Sequence, residues 1–143
     1  MSLVFLRAGI LIWFLLAACV PSLERDPNEN SGNDGERATA QALVLGEPVN
    51  DHLNYSEGDM TDWKFVQVVS PGEITVTVGC DNAGAWCSVN VRDEVGRVVG
   101  TIETEGEVRA SGVVEVGRGN YYIEVFVQAS QSAYTIQVDY GSN

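Results

Sequence analysis

Beyond about residue 38, apolar side chains recur at every second position. Ile74, Val76 and Val78 alternate with Thr75 and Thr77, and Val89 and Val91 with Ser88, Asn90 and Arg92. Val108, Ala110, Gly112, Val114 and Val116 share one face of a longer run, with Arg109, Ser111 and Glu115 on the other. Tyr121, Ile123, Val125 and Val127 form one further row, and Tyr134, Ile136, Val138 and Tyr140 another. A period of two is that of an extended strand, whose successive side chains point to opposite faces. One wet and one buried face per strand is the mark of antiparallel sheets. Trp63 and Phe65 also read as inward-facing, and Val66 and Val68 then break the alternation. That strand is therefore expected to carry a bulge or to be covered on both faces.

Turn signals separate these runs: Gly58-Asp59, Pro71-Gly72, Asp81-Asn82, Val95-Gly96 and Arg118-Gly119-Asn120. Strands are predicted near 41–46, 48–54, 62–69, 73–79, 86–92, 96–102, 107–116, 120–127 and 133–140. No segment sustains a helical period. The expected fold is all-β: a two-sheet antiparallel β-sandwich, jelly-roll-like, over residues 38–143.

The first 37 residues differ. An apolar run over residues 8–16 follows Arg7 and ends in Leu16-Ala17-Ala18-Cys19. The run is too short to span a bilayer and has the parts of a secretory signal. Leu-Ala-Ala-Cys resembles a bacterial lipobox, in which the cysteine after the cut takes a diacylglycerol. This implies a signal peptide over 1–18 and a mature chain beginning at lipidated Cys19. Val20 is not the aspartate that marks inner-membrane retention, so an exported, membrane-anchored lipoprotein of the outer membrane is expected, facing the periplasm or the surface. Residues 19–37 are polar and read as a flexible tether, about 20–25 Å long on average. In the other reading of this stretch, its acidic residues fold onto the domain when a cation binds.

With Cys19 assigned to lipid, Cys80 and Cys87 remain as a pair, and outside the cytoplasm such pairs oxidise. A disulfide clipping one hairpin loop is expected. A zinc site is poorly supplied, because His52 is the only histidine. The net charge of −12 repels phosphate backbones, which argues against nucleic acid as a partner and leaves the acyl chains to make the membrane contact.

The order of motifs resembles the bacterial pre-peptidase C-terminal domain, a β-sandwich module appended to secreted peptidases. The pieces are Ala42-Leu43-Val44-Leu45-Gly46, Val49-Asn50-Asp51-His52-Leu53, and Gly58-Asp59-Met60-Thr61-Asp62-Trp63-Lys64-Phe65. Pro71-Gly72-Glu73-Ile74-Thr75-Val76, the run 89–96, Gly119-Asn120-Tyr121-Tyr122-Ile123-Glu124-Val125 and Tyr134-Thr135-Ile136-Gln137-Val138 follow. There is no peptidase here, so a protease tail's role does not carry over. The resemblance implies calcium held by Glu57, Asp59 and Asp62, with Asp34 or Glu36 from the tether, since calcium takes six to eight oxygens. Turn and strand-end roles for the same carboxylates are the alternative. No cofactor is required, and calcium is the one candidate.

No catalytic residue is assigned. His52 lies among Asn50, Asp51 and Asn54 with no nucleophile motif beside it. Trp86, Tyr55 and Tyr122 are the candidate ligand-binding residues, since exposed aromatics are contact platforms; Trp63 is expected in the core, and Trp86 fits core and surface equally. The sequence thus points to a non-enzymatic envelope lipoprotein binding an envelope protein or surface glycan. A small envelope enzyme or enzyme inhibitor is the alternative.

Overall fold

The structure, a computed structural model, describes residues 33–141. One sheet holds five strands in the order β1 (Gln41–Ala42), β3 (Thr61–Val68), β8 (Gly119–Val127), β5 (Cys87–Arg92) and β6 (Val98–Glu103). The other holds β2 (Val49–Asn54), β9 (Gln131–Gly141), β4 (Gly72–Cys80) and β7 (Arg109–Val116). Every pairing is antiparallel except that of the two-residue β1 on β3. Among the described residues the only helical turns are 3-10 turns at Arg37–Thr39, Tyr55–Glu57 and Ala83–Ala85. The two-sheet sandwich predicted by the alternation is the observed fold.

The alternating rows meet between the sheets. Ile74, Val76 and Val78 of β4, Val89 and Val91 of β5, Ile123 and Val125 of β8, and Ile136 and Val138 of β9 are fully buried. Each such side chain contributes about 1.5–3 kcal/mol of burial. Where β6 faces β7 the sheets come closer still. A Cβ on Gly100 would lie 2.5 Å from Val114 Cγ2, and one on Gly112 would lie 2.6 Å from Ile102 Cγ1. Glycine interrupts both valine-rich rows because the opposite strand's side chain occupies that volume.

Three expectations are corrected. The first strand ends at Ala42 rather than at residue 46, because Gly46, at φ +83°, turns the chain and gives its N–H to Val138 O at 2.8 Å. Trp63 and Phe65 do not look inward. β3 alternates without a bulge along its whole ladder with β8, burying Asp62, Lys64, Val66 and Val68 and leaving the two aromatics half-buried on the outer face. The Cys80–Cys87 disulfide is present, but it does not clip a hairpin. Cys80 ends β4 in one sheet and Cys87 begins β5 in the other, so the bond ties the two sheets across a crossover.

The motif at residues 16–19 and residues 19–32 of the predicted tether lie outside the described residues. Residues 33–37 lie against the sandwich. Asp34 is buried and accepts the Trp63 N–H on its backbone oxygen at 2.7 Å. The Arg37 guanidinium stacks over the Tyr122 ring, 4.1 Å from its centroid, and donates to the Glu94 backbone oxygen.

Replacing both Cys80 and Cys87 by alanine is expected to lower stability by about 2–3 kcal/mol, the chain-entropy value for so short a loop. The fall in unfolding free energy, taken from urea midpoint and slope together because releasing the loop also expands the unfolded chain, measures it; an unchanged free energy would show that the bond does not constrain the unfolded chain.

Candidate functional site

The strict alternation of β3 places two charged residues in the interior. Lys64 is fully buried and its ammonium forms ion pairs with Asp34 of the N-terminal arm and Asp51 of β2. It also donates to Gln41 Oε1 of β1 at 2.8 Å. Asp62, two residues before Lys64 on the same face, accepts the Tyr134 hydroxyl on Oδ2 at 2.7 Å. The cluster therefore joins the arm, both sheets and four strands.

Its charges are set by burial. Burial opposes the Lys64 charge, but the hydrogen bonds and charges of Asp34 and Asp51 outweigh it and hold the ammonium above the ordinary lysine range. Asp51 is raised, burial exceeding the help from Lys64. Asp62 is pushed up to about 8, mainly by burial and further by the Asp34 and Asp51 charges, against the Tyr134 hydrogen bond. Its protonated form is thereby favoured at neutral pH. Tyr134 is held well above the ordinary tyrosine range, first by burial and then by Asp62.

Ligating oxygens of Asp34, Asp51 and Asp62 lie within 4.8 Å of one another, close enough to coordinate a divalent metal such as calcium. Two oxygens of the cluster, Asp34 Oδ1 and Asp62 Oδ1, are buried without a hydrogen-bond partner. The ammonium of Lys64, however, is bonded to two of the three carboxylates, and burial favours the protonated form of Asp62. A calcium ion fits this set only in place of that ammonium. Of the carboxylates named from sequence, the fold brings Asp62 and Asp34 together. Glu57 is exposed in the 3-10 turn after β2, Asp59 is buried in a bridge with Asn54, and Glu36 is exposed. Lys64, Asp51 and Tyr134 were not singled out in sequence. The available signal was Asp62 and Lys64 at alternate positions of an otherwise apolar strand face.

The aromatic candidates divide between two places. Trp86 is 51% exposed at a left-handed φ of 50°, just before Cys87. It walls a cleft of about 360 Å³ with Ser88, Glu103, Glu105 and Gln128. Glu105, at φ 48°, is the second wall residue held in that unusual backbone region. Gln128 Nε2 donates to Ser88 Oγ at 3.1 Å across the floor. Tyr55, 48% exposed, is on the same rim: its N–H reaches Ser130 O, while Gln128 N–H and Ala129 N–H reach Ala85 O. Tyr122 is elsewhere, half-buried on the outer face of the five-stranded sheet beneath Arg37 and 6.2 Å from Phe65. On that face Glu124 Oε2 accepts from Asn90 Nδ2 at 3.0 Å and Arg92 Nε at 2.9 Å, and Arg92 lies 5.9 Å from the Trp63 ring.

His52 is half-buried on β2, where its backbone N–H goes to Asp51 Oδ1 at 2.9 Å. Cys80 and Cys87 are bonded to each other.

No protein-family model matches the chain, and no curated protein matches it in sequence. Among solved structures, the pre-peptidase C-terminal domain of a Bacillus anthracis collagenase is similar with a TM-score of 0.62 and 18% identity, over 70% of this chain and 94% of that one. The likeness is one of fold: the sandwich has a fold like that of a pre-peptidase C-terminal domain. An Aeromonas hydrophila periplasmic inhibitor of g-type lysozyme matches with a TM-score of 0.47 and 14% identity, over 72% of this chain and 96% of that one. A carbohydrate-binding module of a Cellvibrio mixtus lichenase, in complex with cellotriose, matches at 0.41 and 18%, over 69% and 77%.

Asp62 gives a pH dependence of definite sign. Its folded pKa, about 8, lies above the unfolded value, so folding at neutral pH takes up a proton. Its contribution is fully present below the unfolded pKa and is lost as pH rises through the window up to about 8. Asp62→Asn cannot ionise and keeps an oxygen for Tyr134. Melting temperature is expected to fall less steeply from mildly acidic pH to pH about 8 in the variant than in the parent. Parallel curves would mean that Asp62 does not carry the proton.

Proposed function

We propose that this chain is a non-catalytic, lipid-anchored envelope module that binds a wall or surface polysaccharide through the cleft beside Trp86. The observation that carries the reading is Trp86 itself. A bulky side chain in the left-handed region costs about 1–3 kcal/mol of backbone strain. Here it falls on the residue that caps the Ala83–Ala85 turn, with its N–H on Ala83 O at 3.4 Å and its indole left half in water. Strain of this kind, once observed, motivates a functional hypothesis. The indole offers an apolar face to the C–H side of a sugar ring, and Ser88, Gln128, Glu103 and Glu105 offer hydroxyl, amide and carboxylate partners for its hydroxyls. The disulfide and the two packed sheets fix the cleft on a scaffold, the usual arrangement for binding loops.

Export, lipidation of Cys19 and residence in the outer membrane complete the proposal and rest on the signal-like run and Leu16-Ala17-Ala18-Cys19. Cell labelling with a tagged fatty acid is expected to mark the parent and not Cys19→Ala. Labelling of both would remove the anchor from the reading.

Calorimetric titration with soluble wall and surface glycan fragments is expected to show saturable binding, weakened at least about tenfold by Trp86→Ala, the loss of one central aromatic anchor. Glycan binding that survives Trp86→Ala moves the site off this cleft. Recovery of an envelope protein with no glycan binding replaces the polysaccharide by a protein partner. Turnover of a peptide, ester or glycan that is abolished by substituting His52 or one carboxylate places the chain among enzymes instead.

A further inference from the structure

A fully buried lysine bonded to two aspartates, with a third carboxylate close to theirs and Asp34 and Asp62 each keeping an oxygen that no donor reaches, poses a question that glycan binding does not answer. The three carboxylates lie close enough to hold a divalent cation, yet two of them are taken by the ammonium of a β3 side chain. We propose that the Lys64 ammonium is the resident cation of this cage and fastens the N-terminal arm to the sandwich without any metal.

The geometry supports this at each point. Asp34 is 2% exposed and belongs to the arm, and two bonds hold it on β3: its backbone oxygen to the Trp63 N–H and its Oδ2 to Lys64. Asp51 comes from the opposite sheet and meets the same ammonium. Gln41 Oε1 takes a further Lys64 proton, so the three donors of the ammonium have three named acceptors. The lysine already occupies one oxygen of Asp34 and one of Asp51. A second cation would have to share the carboxylates with a buried ammonium a few ångströms away, where like charges repel strongly. Lysine and calcium are therefore alternatives at this position. With the lysine built into β3, docking of residues 33–40 does not respond to the calcium concentration outside the cell.

The converse follows. Truncating Lys64 to alanine leaves Asp34, Asp51 and Asp62 around a vacated space with Gln41 Oε1 beside it, an oxygen set suited to a hard cation. The charge on Asp62 is then stabilised by the metal, which favours its ionised form.

The test uses the full chain in mild detergent, with calcium chloride alone or a chelator as the probe. The parent is expected to melt at the same temperature in millimolar calcium and in chelator. Lys64→Ala is expected to melt lower than the parent in chelator and to recover about 5–10 °C in calcium, as a ligand that binds only the folded state requires. Lys64→Ala with Asp34→Asn should lose that recovery. Parent protein stabilised by calcium overturns the proposal. So does Lys64→Ala that melts identically in both media, or that folds in neither.

Discussion

A charge buried without a partner is among the most costly things a small domain can hold, and the interior ammonium of Lys64 sets the terms for the elements around it. It is stable only while Asp34 and Asp51 are both in place, and removing one partner of such a buried pair typically costs about 3–5 kcal/mol. Asp34 comes from the arm before the first strand, Asp51 from β2 in one sheet, and Lys64 from β3 in the other. The arm is therefore part of the folded unit, and the two sheets are held in register at this edge by polar contacts. Tyr134 and Asp62 extend the same network into β9.

The opposite edge is closed by the reverse strategy. β6 and β7 have no polar cluster between them; Gly100 and Gly112 let Val114 and Ile102 enter each other's strand. Apolar close packing there needs the absence of side chains, whereas the Lys64 edge needs long ones. The disulfide adds a third tie between the sheets, across the end where β4 passes to β5.

With both edges and one end tied, the loops at that end are presented on a scaffold with little freedom. Trp86 precedes Cys87 directly, so the residue that reaches into solvent is anchored one position from a covalent link between the sheets. The outer face of the five-stranded sheet, with Trp63, Arg92, Glu124 and Asn90, is already engaged in its own network. Arg37 covers Tyr122 there, so the free aromatic surface lies at the rim.

The strand rows, their antiparallel pairing into two sheets and the Cys80–Cys87 bond were legible in the sequence, because a two-residue period and an even thiol count are local properties of the chain. The face on which each strand buried its side chains was legible only where one face was plainly apolar, as in β4, β8 and β9. β3 was misread because both its faces carry large side chains. Aromatic Trp63 and Phe65 looked like core, and Asp62 read as a loop ligand or a strand-end carboxylate. What reversed this was tertiary: partners 30 residues before Lys64, at Asp34, and 72 residues after Asp62, at Tyr134, make the charged face the buried one. The same holds for the disulfide, whose loop length was evident but whose bridging of two sheets depended on where β4 and β5 pair. Local periodicity determines which segments extend; the desolvation and pairing of distant charges decide which way they face.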